Sequence, residues 1–189
     1  ILFNRQIMKY LGPDALAIYG PIINVSTFVQ CCAYSVGQAA QPIISMNFGA
    51  NCSSRIKEVL KYSLYSVAFF SIFWTTLSIC CPNLYIKIFM NPTEHILKIA
   101  PEIIRTYSIS FLLLPLNIFA TYYFQAIVRP KAAFIVSVLR GMLISGALIL
   151  ILPKLFGGNS IWATMPITEL IVAILATFFI VRYTKKLAQ

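Results

Sequence analysis

The chain has 189 residues, 59% of them hydrophobic and 11% charged, with a mean hydropathy of +0.82 and a formal net charge of +10. A soluble domain carries about 25% charged residues, so this composition belongs to a membrane protein, with the lipid bilayer as its first partner. The cations sit singly or in twos and threes between apolar segments, with no basic run interleaved with aromatics, and this pattern excludes nucleic acid.

The chain opens inside an apolar helical pattern with neither an initiator Met nor a signal peptide, and reads as a fragment of something longer. Residues 1–11 read as the last turns of one helix. Gly12 stops it, and Pro13-Asp14 opens the next. Residues 15–46 form the longest helix. About 20 residues suffice to span the hydrocarbon, so this one is expected to tilt, kink or protrude, with Pro42 supplying the kink. On a helical wheel Asn24, Thr27, Cys31, Ser35, Gln38 and Ser45 share one stripe, with Gln41 adjoining it. Such a stripe faces neighbouring helices or a watery cavity, not lipid.

Past Gly49 a basic helix runs from Ser54 to Lys61, and residues 62–81 form a span stopped by Pro82-Asn83. Asn91-Pro-Thr-Glu94 reads as a helix start, with Asn91 as the cap and Pro92 in the first turn. The stretch through His95 and Lys98 to Ala100 reads as a short interfacial helix. Residues 102–128 carry a second polar stripe (Thr106, Ser110, Asn117, Thr121 and Gln125), with Pro115 near the centre. Two proline-interrupted spans bearing amide side chains are the sequence pointer to a transport path.

Residues 132–152 form a further span with Arg140 and Gly141 inside it. Residues 161–181 form the last, with Trp162 at its entry as an interfacial aromatic. Arg140 either snorkels to the surface or pairs within the bundle. Glu169, a little over two turns into the last helix, is either a functional intramembrane acid or the partner of Arg140 or water. Loop cations place the Arg55 loop and the C-terminus in the cytoplasm: Arg55, Lys57, Lys61, Arg129, Lys131, Arg182, Lys185 and Lys186 on one side, against Arg5, Lys9, Lys87, Lys98 and Lys154.

Chemistry is sparse. There is no phosphate-binding glycine–lysine loop, and no nucleophile–base pair. One histidine, His95, and vicinal rather than C-x-x-C cysteines argue against a metal centre, so no cofactor and no enzymatic activity are expected.

Gly37-Gln-Ala-Ala-Gln-Pro-Ile-Ile-Ser-Met-Asn-Phe-Gly-Ala50, followed by Arg55-Ile-Lys-Glu-Val-Leu60, closely resembles the C-terminal half of a bacterial-type multidrug and toxic compound extrusion (MATE) transporter. Ile88-Phe-Met with Glu94, Tyr123-Phe-Gln-Ala126 and Ile161-Trp-Ala-Thr-Met-Pro-Ile-Thr-Glu169 are similar to the same family. The resemblance implies an all-α polytopic transmembrane bundle, one lobe of a two-lobe, twelve-helix antiporter of the bacterial plasma membrane. Residues 1–11 would end its seventh helix, and 15–46, 62–81, 102–128, 132–152 and 161–181 would be its eighth to twelfth. Such proteins exchange Na⁺ or H⁺ for organic cations and amphipathic drugs by alternating access. The partner of this lobe would be an N-terminal lobe of the same chain. The family's cation-binding acids lie on the first helix and, in some branches, on the seventh and tenth. Residues 103–128 carry none, which places the coupling-ion site mostly in the other half.

On this reading Gln38, Gln41, Asn117, Thr121, Gln125 and Glu169 line the cavity. Tyr34, Tyr122 and Phe124 offer aromatic faces to cations, and Pro42 and Pro115 serve as hinges. The alternative is a flippase of lipid-linked oligosaccharide precursors, whose cavity needs several cations for a pyrophosphate. Arg140 is the one candidate.

Overall fold

The computed structural model describes residues 2–187, which are helical nearly throughout and contain no strand. Five helical stretches are long and apolar enough to cross a membrane: Pro13–Gly49, Ser53–Cys80, Glu94–Ala126, Pro130–Phe156 and Gly158–Lys186. With the family assignment given below, this makes the chain an integral membrane protein.

A short helix, α1 (Leu2–Tyr10), ends where Gly12 takes a φ of 84°, open to glycine at little cost. Pro13 then sits in the first turn of α2 (Pro13–Gly49), where its missing N–H is harmless, and Asp14 lies at the positive end of the helix dipole. Ile18, Ile22, Val25, Val29, Ala33, Gly37, Ala40 and Ile44 recur at three- and four-residue steps and form its buried face. That face packs mainly on α3 (Ser53–Cys80) and α6 (Leu114–Ala126). Although Pro21 and Pro42 each delete a backbone hydrogen bond, the helix is unbroken over 37 residues, about 55 Å at 1.5 Å per residue.

After a turn at Ala50–Cys52, the basic stretch and the apolar span expected over 62–81 are one helix, α3, starting at Ser53. Its buried side includes Ser63, Ser71 and Ser78, small residues that allow close helix approach. Its last turn is finished by Arg105, whose Nε donates to the Ile79 carbonyl at 3.1 Å, one of the acceptors a helix end leaves free. Helix α4 (Pro82–Phe89) is joined back to α3 by the Tyr85 and Ser78 hydroxyls, 2.9 Å apart.

Two expectations for the following segment are corrected. Thr93, not Asn91, is the cap: its hydroxyl accepts from the Ile96 N–H at 3.3 Å. The stretch around His95 and Lys98 is also not a separate interfacial helix. It is the first half of α5 (Glu94–Ser108), which continues through Pro101 because Ile96, Ala100, Ile103, Ile104 and Tyr107 give it one continuous buried face. The helix expected over 102–128 is divided. A 3₁₀ turn at Ile109–Leu112 separates α5 from α6, and Pro115 lies buried in the first turn of α6, not at the centre of a span.

Beyond Arg129, α7 (Pro130–Val138) passes through a π-helical turn, Leu139–Leu143, into α8 (Ile144–Phe156). A 3₁₀ segment, Gly158–Ala163, leads into α9 (Thr164–Lys186). Gly157 has a φ of 82°, and a Cβ on Gly158 would come within 3.0 Å of Leu11 Cδ2, so the start of the last helix is held against the end of α1. Trp162 is 3% exposed and packs near Tyr19 at 6.3 Å, so it is a core residue and not an interfacial one.

Two apolar cores stack along the bundle. One gathers Ile18, Tyr107, Phe111, Leu114, Ile149 and Trp162; the other gathers Ile44, Phe119, Tyr123, Phe124, Val136, Val172 and Ala176. Every long helix passes from one core to the other, and the crossover falls near residues 34–39, 117–118, 140 and 169. The polar residues collect at that level.

Candidate functional site

Glu169 of α9 is fully buried, and its two carboxyl oxygens are shared between two partners. Arg140 Nε donates to Oε1 at 2.8 Å, and Asn117 Nδ2 donates to Oε2 at 2.6 Å and to the Glu169 backbone carbonyl at 2.9 Å. A charge taken this far from water is stable only when paired and hydrogen-bonded. Asn117 is also fully buried, and its Oδ1 has no partner. The amide orientation is dictated by its neighbour, because turning it over would set Oδ1 against the carboxylate. Three helices are therefore tied at one level: α6 through Asn117, α9 through Glu169 and the π-helical turn through Arg140. That turn widens the helix locally and re-aims the Arg140 side chain, a use of such turns common at functional sites.

In front of this cluster lies a pocket of about 260 Å³ lined by Tyr34, Ile118, Thr121, Tyr122, Gln125, Ser137 and Arg140. Tyr34 and Tyr122 meet edge to face at 6.3 Å. Tyr122 lies directly on Gly37, where a Cβ would stand 2.5 Å from its ring, so glycine at 37 is what lets α2 and α6 close here. Larger hollows, of about 480 Å³ between α2 and α3 and about 460 Å³ along α3, are lined by apolar side chains with a few small hydroxyls and one cysteine, and by no charged group.

The side chains singled out from sequence divide into three sets. Thr121 and Gln125 line the pocket, and Gln41 donates to Gln125 Oε1 at a long 3.4 Å. Gln38 is exposed on the same face of α2 as Asn24, Thr27, Cys31, Ser35 and Ser45, a polar stripe that no other part of the described chain covers. Asn117 and Glu169 sit behind the pocket wall, not on it. Phe124 does not offer its face to a cavity, being fully buried among Tyr123, Phe179 and Tyr183. Pro42 lies on the exposed side of an unbroken helix, and Pro115 follows the 3₁₀ turn between α5 and α6.

Arg140 and Ser137 are the pocket residues absent from the expected lining. Arg140 was visible as a charge inside an apolar run, whereas Ser137 carried no signal of its own. Among the described residues no group of three or more metal-ligating side chains occurs, and the five cysteines are free.

Comparison with known proteins agrees with this architecture. The chain is 24% identical over 180 residues to the multidrug export protein MepA of Staphylococcus haemolyticus (strain JCSC1435), a match covering 95% of this chain and 39% of that protein. An outward-facing multidrug resistance MATE family transporter of the MOP superfamily superposes with a TM-score of 0.89 at 13% identity, covering 99% of this chain and 42% of the other. A MOP superfamily transporter from Pyrococcus furiosus, described as having a binding pocket of reversed polarity, gives 0.89 at 12% identity, covering 100% and 42%. The chain thus spans about two fifths of the length of the relatives it matches and has the fold of a part of them. The MatE family model runs through residues 2–151, well over half of the sequence, and the chain belongs to that family, whose members are transporters and not enzymes.

Proposed function

We propose that this chain is the C-terminal lobe of a secondary-active multidrug exporter. It would exchange Na⁺ or H⁺ for organic cations or amphipathic drugs by alternating access. The observation that carries the reading is the uncovered polar stripe of α2, continuous through Gln41 and Gln125 with an aromatic-walled pocket at mid-bundle. Amide and hydroxyl side chains at membrane depth are tolerated where they face a watery cavity or a second protein surface. Weakly bonded glutamines beside tyrosine rings suit adaptable binding of varied amphiphiles.

The second surface would be the N-terminal lobe of the same polypeptide, and the coupling ion would bind mostly there. Arg55, Lys57, Lys61 and the C-terminal cations would face the cytoplasm across a bacterial plasma membrane. Rocking of the lobes would use Pro42 and the α5–α6 break ahead of Pro115 as points of bending. The flippase alternative asks for several cations around a pyrophosphate. Arg140 is the one cation lining this pocket, and Glu169 already offsets its charge.

The test is ethidium efflux by the full-length protein, expressed from its recovered upstream coding sequence in a pump-deleted bacterium. Efflux that falls in Gln41→Leu at equal membrane expression is the expected result. No efflux from a well-expressed complete protein would overturn the reading in favour of the flippase.

A further inference from the structure

Arginine carries five N–H donors, and the cluster behind the pocket uses one of those on Arg140. Glu169 meets only Nε, because its second oxygen is occupied by Asn117, so the two-pronged arginine–carboxylate pairing is not made. The Arg140 side chain is 20% exposed and lines the pocket. Among the described residues its terminal nitrogens donate no hydrogen bond, and neither is buried without a partner. Glu169, at 0%, does not reach the pocket, and no other carboxyl group lines it. The opening therefore presents a guanidinium edge, two tyrosine rings and the polar ends of Thr121, Gln125 and Ser137.

We infer that this pocket selects substrates bearing an anionic oxygen group, a carboxylate in the first instance, on an aromatic cationic scaffold: zwitterionic amphiphiles in preference to simple organic cations. Two N–H groups of Arg140 would clamp the carboxylate in the planar geometry a guanidinium favours. Tyr34 and Tyr122 would take the cationic ring system. Glu169 and Asn117 act as positioning residues. They hold Nε, fix the rotation of the guanidinium and leave its outer edge forward. This inference rests on the chain forming part of an exporter.

The experiment uses the full-length protein and two dyes on one scaffold, a rhodamine with a free benzoic carboxylate and its ethyl ester. The acid is a zwitterion and the ester a cation, so the ratio of their export rates isolates the carboxylate. Arg140→Gln is expected to lower the acid-to-ester ratio about tenfold, the loss of one charge-assisted hydrogen-bonding contact. Arg140→Lys, which keeps the charge but not the planar edge, is expected to lower it as well. The double variant Arg140→Gln with Glu169→Gln removes the unpaired buried acid that the single change leaves behind. It keeps the comparison interpretable if Arg140→Gln alone misfolds, and the same fall is expected.

A ratio unchanged in these variants overturns the inference, as does export of the ester without the acid by the unaltered protein. Both of those results leave the exporter reading standing. Export of neither dye by the well-expressed protein removes both.

Discussion

Two polar regions lie at the same depth of this bundle and are built in opposite ways. The Asn117–Glu169–Arg140 cluster is closed, with contacts of 2.6–2.9 Å around a carboxyl group that no solvent reaches. The α2 stripe is open. Its one cross-helix amide contact, Gln41 to Gln125, is 3.4 Å long, and Gln38 is exposed. The difference follows from the cost of each group. A buried charge without a partner is expensive, so the charged residues must be satisfied within the lobe itself. An amide costs far less and can remain available to a ligand or a second surface. One region holds the helices together, and the other is left for exchangeable partners.

The comparison is broken most severely at Arg140. Arg140→Leu leaves Glu169 buried and alone, and is expected to cost about 3–5 kcal/mol, read as a lower midpoint in thermal aggregation of the detergent-solubilised full-length protein. Arg140→Leu with Glu169→Leu is expected to recover most of that loss. Equal losses in the single and double variants would show that the cluster is not closed. A smaller effect is expected at the contact between the regions. Gly37→Ala drives a methyl group into Tyr122 and should cost about 1–3 kcal/mol by the same assay, relieved by adding Tyr122→Ala. Full stability in Gly37→Ala would mean that α2 and α6 are not in contact there. The smallest change in stability is expected on the open side: Gln41→Leu should shift it by no more than about 0.5 kcal/mol while lowering export. If Gln41→Leu destabilised the protein as much as Arg140→Leu, the distinction between the regions would disappear.

Much of this division could be read from the residues themselves. The three- and four-residue spacing of Ile18 to Ile44 marks the packed face of α2, and the complementary stripe marks what is left uncovered. Arg140 and Glu169 stand out as charges inside apolar runs, and pairing between them was one of two open readings. The division of the α5–α6 segment was not legible. Pro115 marks the neighbourhood, but the 3₁₀ turn precedes it, over Ile109–Leu112, where the sequence is ordinary apolar helix. The π-helical turn was equally silent, since neither Leu139 nor Met142 distinguishes it from regular helix. Depth behind a pocket wall was also invisible. Periodicity puts Asn117 and Thr121 on one stripe, but only the neighbouring helices determine that the first is sealed and the second accessible.

The order in which the cluster's members leave the ribosome has a consequence for biogenesis. Asn117 and Arg140 are synthesised before Glu169, which arrives only with the final helix. Until α9 inserts, Arg140 stands in the bilayer without its acid, on a segment whose most apolar window is just 11% buried by the rest of the chain. The insertion cost of such a residue is about 2.5–3.5 kcal/mol at mid-membrane. Nascent chains released before residue 169 would carry that burden permanently, which makes the last helix the step that commits the bundle to its topology.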